Sequence, residues 1–488
     1  MAMIQVDHLT FSYPGSGENV FEDCSFQIDT RWRLGFVGRN GRGKTTLLRL
    51  LQGEFAYRGT ILCPVPVCYF PAPVQKMERS TGEILLELCP QAQEWELLRE
   101  FAPLKLEAEL LERPFATLSN GERTRALLAA FFLDEGRFPL IDEPTNHLDM
   151  EGRALVSRYL RSKRGYILVS HDRRFLDGCV DHILSLNRAS VDVCSGNFSV
   201  WFENFQRQQA FEESQNRRLE KDVERLRTAA RRTSGWSDQA EKAKYGTGVL
   251  DRGYVGHKAA KVMKRAKSVQ ARQERALEEK SALLHNTEKA ESLKLHPLVH
   301  HSPVLAEFSQ VSVCYGGEPV CQPVSCQIRQ GERVALAGRN GSGKSSLLKL
   351  LLGQDIPHEG RVSLASGLVI SYVPQDTSGL AGDLSQFARE QGLDETLFKT
   401  ILRKLDFDRA LFGQDMAGYS QGQKKKVYLA RSLCQQAHLY VWDEPLNYVD
   451  LYSRIQLEEL IQTYRPTLVF VEHDRAFQEK IATQVVEL

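Results

Sequence analysis

Residues 34–46 read Leu34-Gly35-Phe36-Val37-Gly38-Arg39-Asn40-Gly41-Arg42-Gly43-Lys44-Thr45-Thr46. A short apolar run leads into a glycine-rich octet of the form G-x-x-x-x-G-K-[ST], and the helix-forming run TTLLRLL follows. This order predicts a strand, a phosphate-binding loop and a helix. The glycines let backbone N–H groups close on phosphate oxygens, and the helix N-terminus adds a favourable dipole. Lys44 is placed to reach the β- and γ-phosphates of a nucleotide, and the Thr45 hydroxyl to ligate Mg²⁺.

The motif occurs twice. Gly338-Arg339-Asn340-Gly341-Ser342-Gly343-Lys344-Ser345-Ser346 repeats it, with the two lysines 300 residues apart. DEPTNHLD begins at Asp142 and DEPLNYVD at Asp443, an offset of 301; SHDRRF begins at Ser170 and EHDRAF at Glu472, an offset of 302. An offset that drifts by only two over this length means two copies of one α/β domain. The expected organisation is a first domain at 1–199, a linker at 200–302 and a second domain at 303–488.

The linker differs in character. Residues 231–267 carry ten Lys and Arg against three acids, a net +7 in a chain whose total is +1. Apolar residues recur at helical spacing over about Val200 to Thr228 and again over about Lys258 to Ser292. Gly235, Gly246, Gly248, Gly253 and Gly256 fall between these runs and break the helical periodicity. The expectation is a hairpin of two helices with an irregular, basic, glycine-rich tip. Trp236, Tyr245 and Tyr254 interleave with its charges and could stack on bases.

Composition excludes several classes. The longest apolar run, Ala126 to Leu133, has 8 residues, against roughly 18 for a bilayer span. The N-terminus has no basic start with an apolar core, so no secretory signal is expected. The 10 cysteines form no C-x-x-C pair, which fits reduced thiols in a cytosolic protein.

Asp142-Glu143 and Asp443-Glu444 follow short apolar runs, 98 and 99 residues after the lysines. An aspartate at a strand end beside a phosphate loop can hold Mg²⁺, and the following glutamate can orient or deprotonate water. Pro139 interrupts the first of these runs and predicts a short strand. Leu118-Ser119-Asn120-Gly121-Glu122 and Tyr419-Ser420-Gln421-Gly422-Gln423 each lie just before a helical run, their serines 23 residues ahead of the aspartate. Taken alone, each is a helix cap with Ser at the N-cap and Glu or Gln three residues on.

Together, these loops resemble the signature loops of ABC ATPases, and the whole chain resembles a tandem ABC protein. The resemblance implies two α/β ABC-type P-loop ATPase domains, joined by the helical-hairpin linker and facing head to tail. It also implies ATP and Mg²⁺ as cofactors and ATP hydrolysis as the activity. Each nucleotide would lie between one domain's phosphate loop and the other domain's signature loop. The first composite site then takes Lys44, Thr45, Asp142, Glu143 and His171, with Ser420, Gly422 and Gln423 opposite. The second takes Lys344, Ser345, Gln375, Asp443, Glu444 and His473, with Ser119, Gly121 and Glu122 opposite. His171 and His473 resemble the switch histidine that contacts the γ-phosphate. Tyr13 and Tyr315 resemble the aromatic that stacks on adenine, or else they simply pack. The second copy's Gln-loop, SYVPQ, supplies Gln375 as a metal contact, whereas the first reads CYFPA and has Ala72 there. Slower turnover is expected at the first site.

More narrowly, the two ATPase domains on one chain, the linker and the DEPTNHLD–SHDRRF pair resemble the ABC-F family. ARRTSGWS, DRGYVGHKAAKVMKRAKS, EEKSALL and DEPLNYVD resemble its Lsa-type antibiotic-resistance branch. That resemblance implies a cytoplasmic monomer that binds the tRNA exit site of the ribosome and touches rRNA and P-site tRNA with its linker. It would displace lincosamides, pleuromutilins and streptogramins A from the peptidyl-transferase centre, with hydrolysis driving release. The intervals from Gln-loop to signature, 46 and 44 residues, predict no extra arm. The end of the chain 15 residues after His473 predicts no C-terminal extension. Two alternatives stand beside this: a housekeeping translation factor of the same fold, and the ATPase subunit of a transporter with separate membrane subunits.

Overall fold

The computed structural model describes residues 2–15, 19–134, 136–146, 148–186, 191–243, 293–316 and 318–488, without the side chains at 213, 220, 226–227, 229–243 and 318. The second predicted linker helix and most of the predicted tip, with Tyr245 and Tyr254, lie outside the described residues. So does the Trp236 side chain.

In the first domain, the apolar strand Arg33–Gly38 sits between Tyr166–Val169 and His182–Leu186, paired in parallel with both. Its sheet continues through Phe138–Asp142 to Val67–Phe70 on one side and ends at the antiparallel Val191–Ser195 on the other. These strands read as continuous apolar runs because a parallel sheet is covered on both faces. A separate antiparallel sheet, ordered Phe21–Asp29, Met3–Phe11, Arg58–Leu62, packs its apolar residues into the same core as Leu47, Leu48, Leu50 and Leu51 of the phosphate-loop helix.

The second domain repeats this plan. Its parallel sheet runs Ile370–Val373, Leu439–Asp443, Leu468–Val471, Arg333–Ala337, Gln484–Glu487. The offset of about 300 therefore does reflect a duplicated α/β fold. The chain divides by contacts into a unit holding residues 1–201 and 290–488, which contains both ATPase domains, and a unit at 202–289.

Three local expectations need revision. Phe138–Asp142 keeps five residues despite Pro139, as many as Leu439–Asp443. What the proline removes is one ladder bond: Tyr440 at the matching position donates its N–H to Thr467 O at 2.9 Å, and proline has no N–H to give. The first linker helix runs Phe198–Ala243, well past Thr228 and through Gly235. One glycine costs a helix only about 1 kcal/mol, too little to end a helix of 46 residues. Finally, Leu293 and Leu295 are buried in the core of the second domain, so the extended segment before residue 303 packs as part of that domain.

Candidate functional site: two composite phosphate sites

Both phosphate loops are shaped by glycine. Gly41 and Gly43 take φ of 80° and 93°, Gly341 and Gly343 take 85° and 87°, a region that other residues enter only with strain. A Cβ on Gly43 would come within 2.5 Å of Val20 and 2.9 Å of Phe21. The helices begin at Lys44 and Lys344 with no side-chain cap, which leaves their first N–H groups for an anion. Lys44 Nζ donates to Gly38 O (2.7 Å), Arg39 O (3.0 Å) and Asn40 Oδ1 (3.3 Å). Lys344 Nζ donates to Gly338 O (2.9 Å) and Arg339 O (2.6 Å). Burial lowers the pKa of both ammonium groups against the nearby carboxylates.

The aspartates meet the next hydroxyl of each loop. Thr45 Oγ1 donates to Asp142 Oδ2 at 2.8 Å, and Ser345 hydrogen-bonds Asp443. Burial raises the Asp443 pKa to about 6, and its Oδ1 is buried without a partner. A hydroxyl and a carboxylate with an unspent oxygen are the hard donors Mg²⁺ takes, alongside phosphate and water. The donor set therefore fits this ion.

Both glutamates stand at positive φ, 49° for Glu143 and 47° for Glu444. Their N–H groups still bond to the neighbouring strand, at Val169 O and Val471 O, both at 2.9 Å. Such strain clusters at functional positions. From here the two sites diverge. Glu444 Oε1 accepts from Gln375 Nε2 at 3.0 Å, and Oε2 accepts from Asn447 Nδ2. Burial works to raise the Glu444 pKa, but nearby His473, Lys425 and Gln375 outweigh it and hold the value below the ordinary one. Glu143 has Ala72 in place of the glutamine. Among the described residues its Oε1 has no hydrogen-bond partner, with His171 Nε2 3.4 Å away. Burial and the Asp142 charge push its pKa up to about 8, against Arg454, Lys44 and Arg153. The first glutamate is thus pushed toward the neutral acid and the second toward the carboxylate.

The histidines sit behind these carboxylates. His473 Nε2 is buried and lies 3.6 Å from Glu444 Oε1. His171 Nε2 contacts Asn40 Oδ1 at 3.1 Å. Burial, with the Lys44 and Arg454 charges, keeps His171 well below its ordinary pKa and so neutral.

The signature serines cap their helices as predicted. Ser119 and Glu122 form one capping box, Ser420 and Gln423 the other. Glu122 and Gln423 are thereby turned back onto their own loops. At the second site, Ser119 and Gly121 line one cleft of about 1070 Å³ with Lys344, Ser345, Gln375, Glu444, His473 and Tyr315. The Tyr315 hydroxyl meets Ser346 Oγ at 2.9 Å, as Tyr13 meets Thr46 Oγ1 at 2.7 Å. At the first site, Asn40 Nδ2 donates across the domains to Tyr448 O at 2.9 Å, beside Gly422. A Cβ on Gly422 would fall 2.5 Å from that same carbonyl. Arg39 pairs with Asp406 at 3.4 Å and lies over the Tyr452 ring, while Arg339 pairs with Glu151 at 3.2 Å.

Sequence reading missed the side-chain roles of Asn40 and Arg39, which it treated only as members of a loop. Tyr448 O for Asn40, and Asp406 and the Tyr452 ring for Arg39, lie in the other domain, so spacing within one motif could not show these contacts. It also missed Tyr69, whose hydroxyl donates to Asp142 Oδ2 at 2.8 Å.

Two phosphate loops, each set against the other domain's serine–glycine loop, define a tandem ABC-type ATPase, which binds ATP and hydrolyses it to ADP and phosphate. The sequence profile described as "ABC transporter" matches residues 21–146 and 321–447. The ribosome protection protein VmlR of Bacillus subtilis is 30% identical over 484 residues, covering 96% of this chain and 84% of that protein. The ATP-binding protein Uup of Caulobacter vibrioides is 29% identical, covering 96% and 74%. Among solved structures, archaeal ribosome recycling factor aABCE1, in complex with the ribosomal stalk protein aP1, superposes with a TM-score of 0.66 at 18% identity, over 98% of this chain and 87% of that one. The chain belongs to the ABC-F family of the ABC ATPases. Among the described residues, no helix is long and apolar enough to cross a membrane.

Proposed function

We propose that this chain is a cytoplasmic, monomeric ABC-F ATPase that binds the ribosome at the tRNA exit site. Its linker tip displaces antibiotics from the peptidyl-transferase centre, and ATP hydrolysis drives its release. The observation that carries this reading is the likeness to VmlR, which runs over 96% of this chain and so spans the linker as well as the ATPase domains. The net +7 of residues 231–267 suits rRNA and P-site tRNA phosphates.

In this reading, ATP lies between Lys44 and the Ser420–Gly422 loop at one site and between Lys344 and the Ser119–Gly121 loop at the other. Tyr13 and Tyr315 border the adenine. Thr45 with Asp142, and Ser345 with Asp443 and Gln375, hold Mg²⁺, which offsets the phosphate charge when bound. Glu444, kept ionised, takes the proton of the attacking water. Lys344 and the loop N–H groups stabilise charge on the γ-phosphate, and His473 closes the site behind it. Glu143 has the same position in the first site but starts as a neutral acid, so that site turns over slowly.

Expression in a drug-sensitive host tests the reading. Susceptibility to lincosamides, pleuromutilins and streptogramins A falls if it is right. Unchanged susceptibility to all three, with the protein bound to ribosomes, would instead indicate a housekeeping translation factor.

A further inference from the structure

Lys425 sits inside the helix Gln421–Cys434 and is only 2% exposed. Its Nζ donates to Pro374 O at 2.8 Å and to Asp443 O at 3.0 Å. These carbonyls immediately precede Gln375 and Glu444. One cation thus ties together the ends of two parallel strands, Ile370–Val373 and Leu439–Asp443, at the point where the next two side chains form their 3.0 Å hydrogen bond.

Stability alone does not account for this lysine. Burying an ammonium among carbonyls, with no hydrogen-bonded carboxylate, carries a desolvation cost that a methionine of similar length would avoid. That cost shows in a pKa lowered to about 8, chiefly by burial. The first domain is built differently at each corresponding position. Thr124 replaces Lys425 and spends its hydroxyl on Asn120 O of its own helix, at 2.9 Å. Ala72 replaces Gln375, and Glu143 Oε1 has no hydrogen-bond partner among the described residues. The lysine, the glutamine and the held glutamate occur together in one site and are missing together from the other.

We propose that Lys425 is a positioning residue for hydrolysis at the second site: it sets the spacing between the Gln-loop and the Asp443–Glu444 turn, and through Gln375 it holds Glu444 facing the attacking water. The inference rests on the reading of Glu444 as the group that acts on that water. Lys425 itself does not line the cleft that Lys344, Gln375 and Glu444 share.

The test is steady-state ATP hydrolysis by the full chain, with kcat and KM determined separately. Lys425→Met lowers kcat about tenfold and leaves KM for ATP within about twofold, because the loss falls on the chemical step and not on binding. Lys425→Arg, which keeps the donors, recovers most of the rate. In a Gln375→Ala background the Lys425→Met loss shrinks, since the two act through one contact. Lys425→Gln serves for the same cycle if the methionine variant does not fold. Parental kcat in Lys425→Met, or full additivity with Gln375→Ala, overturns the inference. So does a loss that Lys425→Arg fails to relieve and that comes with a matching rise in KM and a lowered melting temperature. Glu444→Gln is assayed in parallel: if that variant keeps parental turnover, it is the reading of Glu444 that fails, and the two failures are thereby told apart.

Discussion

Gln375 donates its side-chain amide to Glu444 at 3.0 Å, and the matching pair in the first domain, Ala72 and Glu143, makes no such bond. Two domains from one duplicated sequence thus push the same glutamate in opposite directions. Glu444 is kept below its ordinary pKa, and Glu143 is pushed up to about 8.

Single substitutions should therefore be unequal. Glu444→Gln is expected to cost most of the turnover, in the range of about 10²- to 10⁴-fold typical for a lost general base, leaving only the slow first site. Glu143→Gln should cost no more than about twofold, since that residue contributes little at neutral pH. Steady-state ATPase assays of both variants decide this; equal losses would show that Ala72 does not set the asymmetry.

The first site should respond to pH and to repair. In the Glu444→Gln background, residual turnover is expected to rise as pH passes through about 8, because Glu143 must lose its proton to act as a base. Adding Ala72→Gln should raise the rate at pH 7 and move that rise to lower pH. A flat pH profile, or a slower Ala72→Gln variant, contradicts this.

Acid stability should depend on a buried ion pair in the second domain. Lys426 Nζ lies 2.8 Å from Asp450 Oδ2, with both side chains almost fully buried. Burial works to raise the Asp450 pKa, but Lys426 and the Ser453 N–H outweigh it and hold the carboxyl far below its ordinary 3.8. The folded value is the depressed one, so this stability is complete above pH 3.8 and is lost as pH falls toward the folded value. Asp450→Asn is expected to cost about 3–5 kcal/mol at pH 7, and the gap from the parent should narrow only below the ordinary carboxylate range. Urea titrations between pH 7 and pH 3 read it. A gap that widens on acidification has the wrong sign for this account.

Resistance and turnover should separate at the linker. Replacing Lys242 to Leu250 by a short Gly-Ser turn is expected to abolish drug protection while basal ATPase activity stays. It removes only two of the ten basic residues of segment 231–267, so ribosome binding should weaken only in part. Unchanged resistance in that variant would falsify the tip's proposed role.

Much of this fold was legible in the sequence because a phosphate loop is a local device. Gly43, Lys44 and the following helix must be adjacent in the chain to work, and the duplication at Lys344 removed the ambiguity of a single motif. The capping boxes at Ser119 and Ser420 were legible for the same reason. The coupling between Gln375 and Glu444, 69 residues apart, did not show: Ala72 in the other copy read only as a lost metal contact. Asn40, Arg39 and Lys425 could not be singled out, since each acts on backbone or side chains brought near by the tertiary fold. Gly235 misled because a glycine marks a weak point in a helix without ending it, and Leu293 because two buried leucines in a short extended segment carry no periodicity.

The most direct test of the account is co-sedimentation of the Glu143→Gln/Glu444→Gln variant with ribosomes in the presence of ATP. The phosphate loops of that variant still grip nucleotide while neither site can act on water, so the closed, ATP-bound form should persist. The account predicts that the variant stays in the ribosomal pellet with ATP bound, while the parent is largely in the supernatant. A variant that hydrolyses ATP at the parental rate, or that stays in the supernatant with ATP bound, would contradict it.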